Sequence, residues 1–343
     1  MKRSTILGLV LMFLFSSYIK SYGQDIVAND QNKSLGRGVN IIGYDKELWK
    51  DYTKGRFREE YFRMIKEAGF SNVRINMHPF SNMNSEYMIN PKWMETLDWA
   101  VKNALEADLM VILDLHEFNA MAADPVAKKE MFLSVWKQLA PRYKDQSDNV
   151  IFEILNEPNR KLTPELWNTF LTEAMKIIRT TNPTRTLIIG PGNWNGIESL
   201  PTMVLPEEDK NIIVTVHFYH PMKFTHQGAP WSVENASLSG ITWTGTKEEK
   251  EEVDTKLKVA ADWSKAHDRP IFLGEFGSYD KADMESRARY TAYVARTAER
   301  LGFSWAYWQF DSDFIVYDIE KGRWVVPILN ALTNIPSKQF QSN

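Results

Sequence analysis

Two glutamates that end apolar stretches are the residues of this sequence best suited to catalysis. Glu157 follows the run FEILN at positions 152–156 and precedes Pro158, whereas Glu275 follows IFLG at positions 271–274. Proline has no N–H for a ladder hydrogen bond, so the first of these strands must stop there. A carboxylate buried at the end of an apolar strand is costly without a partner. We therefore interpret both glutamates as functional.

Two carboxylates at one mouth of a fold are suited to the hydrolysis of glycosidic bonds. One must carry a proton for the leaving oxygen, and the other must be ionised to attack the anomeric carbon, so their pKa values must differ. Arg74 and Tyr219 are available to keep Glu275 ionised. The negative charge of Glu275 and partial burial would keep Glu157 protonated. Asn156 is placed to bind the sugar 2-hydroxyl.

A metal site is the weaker alternative. His217 and His220, with His116 and Glu117, are the available ligands, but the chain has no His-Glu-x-x-His and no His-x-His motif. It also has no cysteine, which excludes thiolate zinc sites, disulfides and a cysteine nucleophile. We predict no catalytic metal and no other cofactor.

Eight short apolar runs predict the strands that position these residues. The runs are continuous rather than alternating, which is typical of parallel strands covered on both faces. They comprise residues 38–42, 72–76, 110–115, 150–155, 186–189, 212–217, 270–273 and 303–308. The candidate polar residues lie at or near the ends of these runs, where a barrel carries its active site.

Helical patterns lie between the strands at residues 58–68, 93–106, 166–179, about 247–266 and 286–300. Thr163 and Thr246 are predicted N-caps, the second within a capping box. Alternating strands and helices over about 300 residues predict an α/β fold of one domain, a (β/α)8 TIM barrel. An open doubly wound sheet is disfavoured because no Gly-x-Gly-x-x-Gly follows the first strand. The long connection 221–245 is predicted to form a wall of the binding cleft.

The first 23 residues predict a secretory signal peptide. Lys2 and Arg3 precede an apolar run at 6–15, and Ser21-Tyr22-Gly23 resembles a cleavage site. We expect residues 24–343 to form the catalytic domain of an exported protein, extracellular or periplasmic. The apolar run is too short to span a bilayer, so no membrane association of the mature form is expected.

Composition excludes other classes of partner. The chain of 343 residues has 41 basic and 44 acidic residues and a formal net charge of −3, so no nucleic-acid partner is expected. It has 12 Trp, 13 Tyr and 18 Phe, and we expect some of these rings to stack on sugar faces. The expected partner is a β-1,4-linked polysaccharide such as cellulose, β-glucan or glucomannan, and the expected oligomeric state is a monomer.

The order of the motifs resembles glycoside hydrolase family 5, the cellulase family of retaining (β/α)8 enzymes. The segments that carry this resemblance are LGRGVN at 35–40, NVRI at 72–75, FEILNEP at 152–158, VTVHFY at 214–219, GEFG at 274–277 and AYW at 306–308. The segments FTHQGA at 224–229 and KADMES at 281–286 further resemble a branch of endoglucanases that also cleave mannan.

The resemblance implies a role for each matched residue. Glu157 would be the acid/base and Glu275 the nucleophile, with Arg74 and Tyr219 orienting the nucleophile and His217 beside the acid/base. Asn156 and His116 would bind the sugar at the −1 subsite, where Trp308, often followed by a cis peptide, forms the stacking floor. The neighbouring subsites would be lined by Asn40, Gln227 and Trp231.

Two departures from the branch concern the choice between glucose and mannose. Relatives often have two histidines where this chain has His116-Glu117, and we expect Glu117 to contact a sugar hydroxyl there. Relatives also often have Gly-Asn-Ala and an acidic residue where this chain has GYDKE at 43–47. We predict a secreted endo-β-1,4-glucanase acting with retention. The alternatives are a β-mannanase, an enzyme with both activities, a xyloglucan-specific endoglucanase and, least favoured, a non-catalytic carbohydrate-binding barrel.

Overall fold

The computed structural model describes residues 25–333, and the predicted signal peptide lies outside them. Eight parallel strands close into a barrel in the order β1 to β8, with β1 paired to β8. The strands are β1 (Arg37–Ile41), β2 (Asn72–Met77), β3 (Met110–Leu115), β4 (Val150–Glu153), β5 (Leu187–Ile189), β6 (Ile212–Phe218), β7 (Ile271–Phe276) and β8 (Ser304–Tyr307). The prediction of a TIM barrel is confirmed.

Helices surround the barrel and follow most of its strands. They are α1 (Asp25–Leu35), α2 (Lys46–Lys50), α3 (Glu60–Glu67), α4 (Pro91–Glu106), α5 (Phe118–Ala123), α6 (Pro125–Arg142), α7 (Pro164–Thr181), α8 (Gly192–Asn195), α9 (Met222–Thr225), α10 (Lys247–His267), α11 (Met284–Arg300) and α12 (Val326–Thr333). Three short 3-10 turns and a two-stranded hairpin, β9 (Tyr317–Asp318) with β10 (Arg323–Trp324), complete the described fold. The predicted caps Thr163 and Thr246 are both present, the second in a capping box.

The barrel interior has two layers of opposite character. Its lower layer is apolar and forms a cluster separate from the main core, and α1 contributes to it. The members are Ala28, Leu35, Met110, Ile112, Ile151, Ile188, Ile213, Phe272 and Ala306. One step further along the strands the interior side chains become polar, as in the change from Ile112 to Asp114 or from Ile151 to Glu153. The polar layer therefore lies at the end of the barrel formed by the C-terminal ends of the strands.

Sequence patterns missed several helices. The longest of these, α6, has 18 residues, with Pro125 in its first turn and Pro141 in its last. Its buried side chains between Phe132 and Ala140 lie on one face of the helix, but the exposed apolar residues Val126 and Ala127 weaken the periodicity that identifies amphipathic helices. The long connection after β6 has a short helix at its start, and its Trp243 is buried against Tyr290 and Tyr293 rather than facing a cleft.

Within residues 25–333, the structure has no helix with the length and apolar character needed to cross a membrane.

Candidate active site

The guanidinium of Arg74 is the centre of the polar layer and is fully buried on β2. Its Nε and Nη2 donate to the two carboxylate oxygens of Glu153 at 2.6 and 2.7 Å. Its Nη1 donates to Oε1 of Glu275 at 2.9 Å and to Oδ1 of Asn40 at 2.8 Å. Asp114 lies 3.2 Å from Nη2. One cation therefore compensates three buried carboxylates, as buried charge requires.

The neighbouring carboxylates keep the Arg74 side chain positively charged. Burial on its own would lower its pKa, but the charges of Asp114, Glu153 and Glu275 raise it well above the ordinary value. Burial raises the pKa of both Asp114 and Glu153, and the charge of Arg74 opposes that rise. Arg74 is thus a permanent cation beneath the candidate nucleophile.

Glu275 on β7 is held by two donors, one on β2 across the barrel and one directly after the neighbouring strand β6. Arg74 donates to one carboxylate oxygen, and the hydroxyl of Tyr219 donates to the other at 2.9 Å. The register between β6 and β7 shifts after Val216, so that His217 pairs with Glu275. Such a bulge re-aims side chains beside a site. The predicted roles of Arg74 and Tyr219 as partners of Glu275 match this geometry.

Glu157 contacts His217 rather than the arginine. Nδ1 of His217 lies 2.7 Å from Oε1 of Glu157, and the amide nitrogen of Asn195 lies 3.3 Å from Nε2. Burial lowers the pKa of His217, which favours the neutral ring. With Asn195 donating to Nε2, the proton of that ring lies on Nδ1 and is shared with Glu157. The backbone of Glu157 has φ +43°, in the left-handed region that side chains other than glycine rarely adopt.

The two glutamates are close together but differ in environment. One carboxylate oxygen of each lies within 4.8 Å of the other. Burial raises the pKa of Glu157 to about 8, reinforced by Asp114 and Glu153 and opposed by Arg74. Burial raises the pKa of Glu275 to about 7; His217 and Arg74 oppose this rise, and the charges of Glu157 and Asp114 add to it. Glu157 therefore keeps its proton to higher pH than Glu275 does, which suits a general acid beside a nucleophile.

Stacked rings form a flat floor beside the glutamates. The rings of His116 and Trp308 are 5.4 Å apart and nearly parallel, at 9°. The peptide between Trp308 and Gln309 is cis, as the resemblance implied. Trp231 is 51% exposed and packs edge-on against Tyr279. Trp231 has the exposed apolar ring surface that a sugar face can stack on, whereas Trp308 is only 7% exposed and its role as a stacking floor stays a prediction.

Three residues predicted to touch the sugar are fully buried instead. Asn40 donates to the carbonyl of Gly274, and Gln227 bonds to the backbone of Ile241 in both directions. Asn156 accepts from Arg74 at 2.8 Å and lies 3.4 Å from Nε2 of His116. Because each amide is occupied by protein groups and has no exposed surface, we reassign Asn40 and Gln227 from sugar contact to positioning. Asn156 keeps its place at the site, between Arg74 and His116.

Glu117, the residue that departs from the branch, serves the backbone. Its Oε1 accepts a hydrogen bond from the N–H of Phe80 at 2.6 Å, at the start of the 3-10 turn Phe80–Asn82. Burial raises its pKa to about 7, opposed by this hydrogen bond and by Lys128. The carboxylate therefore supports the loop after β2, and its predicted contact with a sugar hydroxyl stays a prediction.

Sequence analysis missed four site residues. Glu153 and Asp114 complete the cluster around Arg74, Asn195 contacts His217, and Tyr44 faces Trp308. An available signal was the charged residue two positions after an interior apolar residue, as in Ile112 to Asp114. Asn195 gave no such signal, because it lies in a left-handed turn with Asn193 and Trp194.

The same centre is the one place in residues 25–333 where three side chains offer closely spaced metal-ligand atoms. These are Glu157, His217 and Glu275, with ligand atoms within 4.8 Å of one another. The hydrogen bonds from His217, Arg74 and Tyr219 already use these carboxylates. Acid/base and nucleophile roles explain the arrangement without a metal ion.

Comparison with protein families places the chain among cellulases. The model of the family Cellulase (glycosyl hydrolase family 5) matches residues 31–313. Endoglucanase H of Acetivibrio thermocellus is 30% identical over 313 residues, which cover 88% of this chain and 33% of that protein. Cellulase/esterase CelE of the same organism is 24% identical, covering 83% of this chain and 36% of that protein. The chain thus spans about a third of the length of these two relatives.

Solved structures agree with that placement. The structure of Thermotoga maritima Cel5A in complex with cellobiose is 40% identical, has a TM-score of 0.84 and covers 89% of this chain and 99% of that chain. The complex of the same protein with mannotriose gives the same values. The match extends over nearly the whole described barrel.

Proposed function

The chain belongs to the cellulase family, glycosyl hydrolase family 5, and on that premise we propose that it is an endo-β-1,4-glucanase acting with retention. The observation that carries the proposal is the pair Glu157 and Glu275, with carboxylate oxygens within 4.8 Å of one another and unequal pKa values. Retaining glycosidases need carboxyl groups about 5–5.5 Å apart, whereas inverting enzymes need about 6.5–9.5 Å to admit a water.

In the first step, an oxygen of Glu275 attacks the anomeric carbon while the bond from that carbon to the glycosidic oxygen breaks. Glu157 transfers its proton to that oxygen, so the leaving chain departs with a free hydroxyl. The products on the protein are a glycosyl ester at Glu275 and an ionised Glu157. Arg74 and Tyr219, which bond to the Glu275 carboxylate, hold it in the orientation for attack.

In the second step, Glu157 acts as a base toward water. It takes one proton from the water while the oxygen attacks the anomeric carbon, and the ester bond to Glu275 breaks. The carboxylate of Glu275 and the proton of Glu157 are both restored. Two displacements at the same carbon return the original configuration, which is why the pair retains stereochemistry.

Support for a glucan substrate comes from the relatives, and one of them favours a second candidate. One relative is named Endoglucanase H, and Cel5A of T. maritima has a structure in complex with cellobiose. Cel5A also has a structure in complex with mannotriose. We therefore keep mannan as the second candidate substrate. Mannose and glucose differ in configuration at C2, so the residues around that carbon decide between the two substrates. Xyloglucan remains a further alternative, since loop shape decides whether its branches fit.

The first test is reducing-sugar release from carboxymethyl cellulose, barley β-glucan, xyloglucan, glucomannan and pure mannan in parallel. The proposal expects cleavage of the unbranched glucans, while strong mannan cleavage would favour the second candidate. Glu275→Gln should fold and lose turnover, and Glu86→Gln, an exposed carboxylate on the loop after β2, is the matched control. Turnover by Glu275→Gln at the rate of the unmodified chain would contradict the proposal. Binding of these polymers without any cleavage would favour the carbohydrate-binding alternative.

We also propose that the protein is exported and that residues 1–23 are removed. The basic start, the apolar run and the small residues before position 24 support this. N-terminal sequencing of the protein recovered from a secreting host should begin at Gln24. Recovery of the intact N-terminus in the cytoplasm would contradict it.

A further inference from the structure

A half-exposed tyrosine stands beside the floor of the catalytic mouth. Tyr44 is 48% exposed. Its ring centroid lies 6.1 Å from Trp308 and 6.5 Å from His116, and the ring is at 86° to both. Because those two rings are stacked parallel, Tyr44 forms a wall perpendicular to the floor that they make. On its other side the ring lies 5.8 Å from His78.

The backbone before Tyr44 is built to hold the ring in that place. After β1 the chain turns at Ile42, which has φ +71°. A Cβ on Gly43 would lie 2.8 Å from Cβ of Asn76, so the turn passes against the polar layer and needs glycine there. The N–H of Gly43 donates to Ile41, and that of Asp45 donates to Ile42.

The backbone after Tyr44 is anchored as well. The carboxylate of Asp45 accepts from the N–H groups of Leu48, Arg56 and Phe57 at 2.8–3.1 Å. Three hydrogen bonds to one side chain fix Asp45, which is the residue after Tyr44 and the N-cap of α2. The tyrosine ring is therefore presented by a fixed turn although almost half of its surface is open.

The hydroxyl of Tyr44 is free to bind. In the part of the chain that the structure describes, no side chain or backbone group forms a hydrogen bond with it. Burial and the charges of Glu275 and Glu157 raise the pKa of this phenol, so it keeps its proton at all working pH values. It offers one donor and two acceptor positions near the catalytic carboxylates.

The barrel order determines which part of the substrate meets this wall. Glu157 follows β4 and gives its proton to the leaving oxygen, so the leaving chain lies on the side of β4. In the closed barrel β8 and β1 are neighbours, and β8 is opposite β4. Tyr44 after β1 therefore lies on the glycone side, with the sugars that stay bound to the enzyme during the first step.

We propose that Tyr44 is a substrate-contacting residue of the glycone side, packing against the sugar next to the cleaved unit and bonding to one of its hydroxyls. The proposal rests on the proposed function. Its ligand class is a β-1,4-linked pyranose unit without a branch on the edge that faces the ring.

Binding to an inactive background tests the contact apart from turnover. In Glu275→Gln protein, adding Tyr44→Ala should weaken cellotriose binding about tenfold, and adding Tyr44→Phe about threefold, measured by calorimetry. Tyr52→Ala is the matched control, because Tyr52 is 39% exposed and stacks on Trp99 instead; it should change binding less than twofold. Equal cellotriose affinity with and without Tyr44→Ala would overturn the proposal.

Kinetics of the active protein test the side. An aryl β-cellobioside places both of its sugars on the glycone side, so Tyr44→Ala should lower its kcat/KM about tenfold. A loss confined to longer substrates that also fill the leaving-group side would overturn the assignment. If the unmodified chain cleaves β-glucan while Tyr44→Ala changes nothing, only this inference fails. If it neither binds cellotriose nor cleaves glucan, the proposed function fails, and this inference with it.

Discussion

At the scale of single residues, the protonation of Glu157 is the property on which the proposed chemistry depends. Its carboxyl group contacts a neutral histidine, whereas Glu275 contacts an arginine and a tyrosine hydroxyl. Both groups are buried, so both pKa values rise, but the neighbours separate them. The same chemical group therefore acts as an acid in one place and as a nucleophile in the other.

The pH profile should report this separation. We expect kcat/KM on β-glucan oligosaccharides to rise as Glu275 ionises and to fall above a pH of about 8, as Glu157 loses its proton. A 2,4-dinitrophenyl cellobioside has a leaving group that needs no proton, so its kcat/KM should lack the alkaline fall. An identical alkaline fall with both substrates would contradict the assignment of Glu157.

Glu117 should make stability depend on pH. Its folded pKa of about 7 lies above the ordinary 4.5, so the folded state is favoured by protonation and loses stability as pH rises from 4.5 through 7. Glu117→Gln keeps an oxygen acceptor for Phe80 and removes the buried charge. We expect it to raise the free energy of unfolding at pH 8 by roughly 3 kcal/mol and to change little at pH 4.5.

Thermal or urea unfolding at the two pH values measures this effect. Glu95→Gln is the control, since Glu95 pairs with Lys92 at an exposed position on α4. An equal change at both pH values for Glu117→Gln would contradict the argument from burial.

At the scale of elements, the ends of strands and the turns after them orient the site. The bulge in β7, where Gly274 is the extra residue, pairs His217 with Glu275. The left-handed residues 193–195 after β5 bring Asn195 to the same histidine. Gly190 directly follows β5 and lies against the Asn195 carboxamide, and any Cβ at position 190 would overlap that group. Because Gly190 has no side chain, the Asn195 carboxamide can occupy this space and contact His217, the hydrogen-bond partner of Glu157.

Gly190→Ala should therefore act through Asn195. We expect about a tenfold loss of kcat, because a small displacement of a catalytic partner is costly, with a cooperative unfolding transition retained. Asn195→Ala should give a similar loss. In a double-mutant cycle, Gly190→Ala should then cause no further loss in the Asn195→Ala background. Additive losses would show that Gly190 acts by another route.

At the scale of the whole molecule, the two ends of the barrel have different tasks. The lower interior is apolar and includes Leu35 of α1. The backbone oxygen of Leu35 also accepts a hydrogen bond from the side chain of Asn72 at 2.8 Å. The upper interior holds Arg74 and its carboxylates. Packing at one end supplies stability, and buried charge at the other supplies reactivity.

Leu35→Ala tests this division. Leu35 is fully buried, so its truncation should lower the free energy of unfolding by about 2–4 kcal/mol. Because the apolar layer separates it from Glu157, kcat on β-glucan should stay within twofold. A tenfold loss of kcat at a temperature where the variant is fully folded would show that the two ends are coupled.

The family and the two glutamates could be predicted from sequence because both depend on short, contiguous signals. An apolar run that ends in a carboxylate is visible without a fold, and the positions of β1 to β8 matched the predicted runs within three residues at each end. The helix α6 was not found in this way, because the exposed apolar residues Val126 and Ala127 and the prolines near its two ends obscure the pattern of its buried face.

Contacts between distant parts of the chain were decided only by the tertiary structure. The family resemblance implied contact with a sugar for Asn40 and Gln227, and such a contact was also expected for Glu117. Closure of the barrel buries the first two completely and directs the third to the backbone of Phe80. Tyr44 is the opposite case, because its sequence position gave no sign of a role at the site. The pairing of β1 with β8 places its ring next to Trp308 at the catalytic mouth. Sequence specified which chemical groups are present and which strands carry them, whereas burial and pairing across the barrel, which depend on residues far apart in the chain, decided which groups remain free to react.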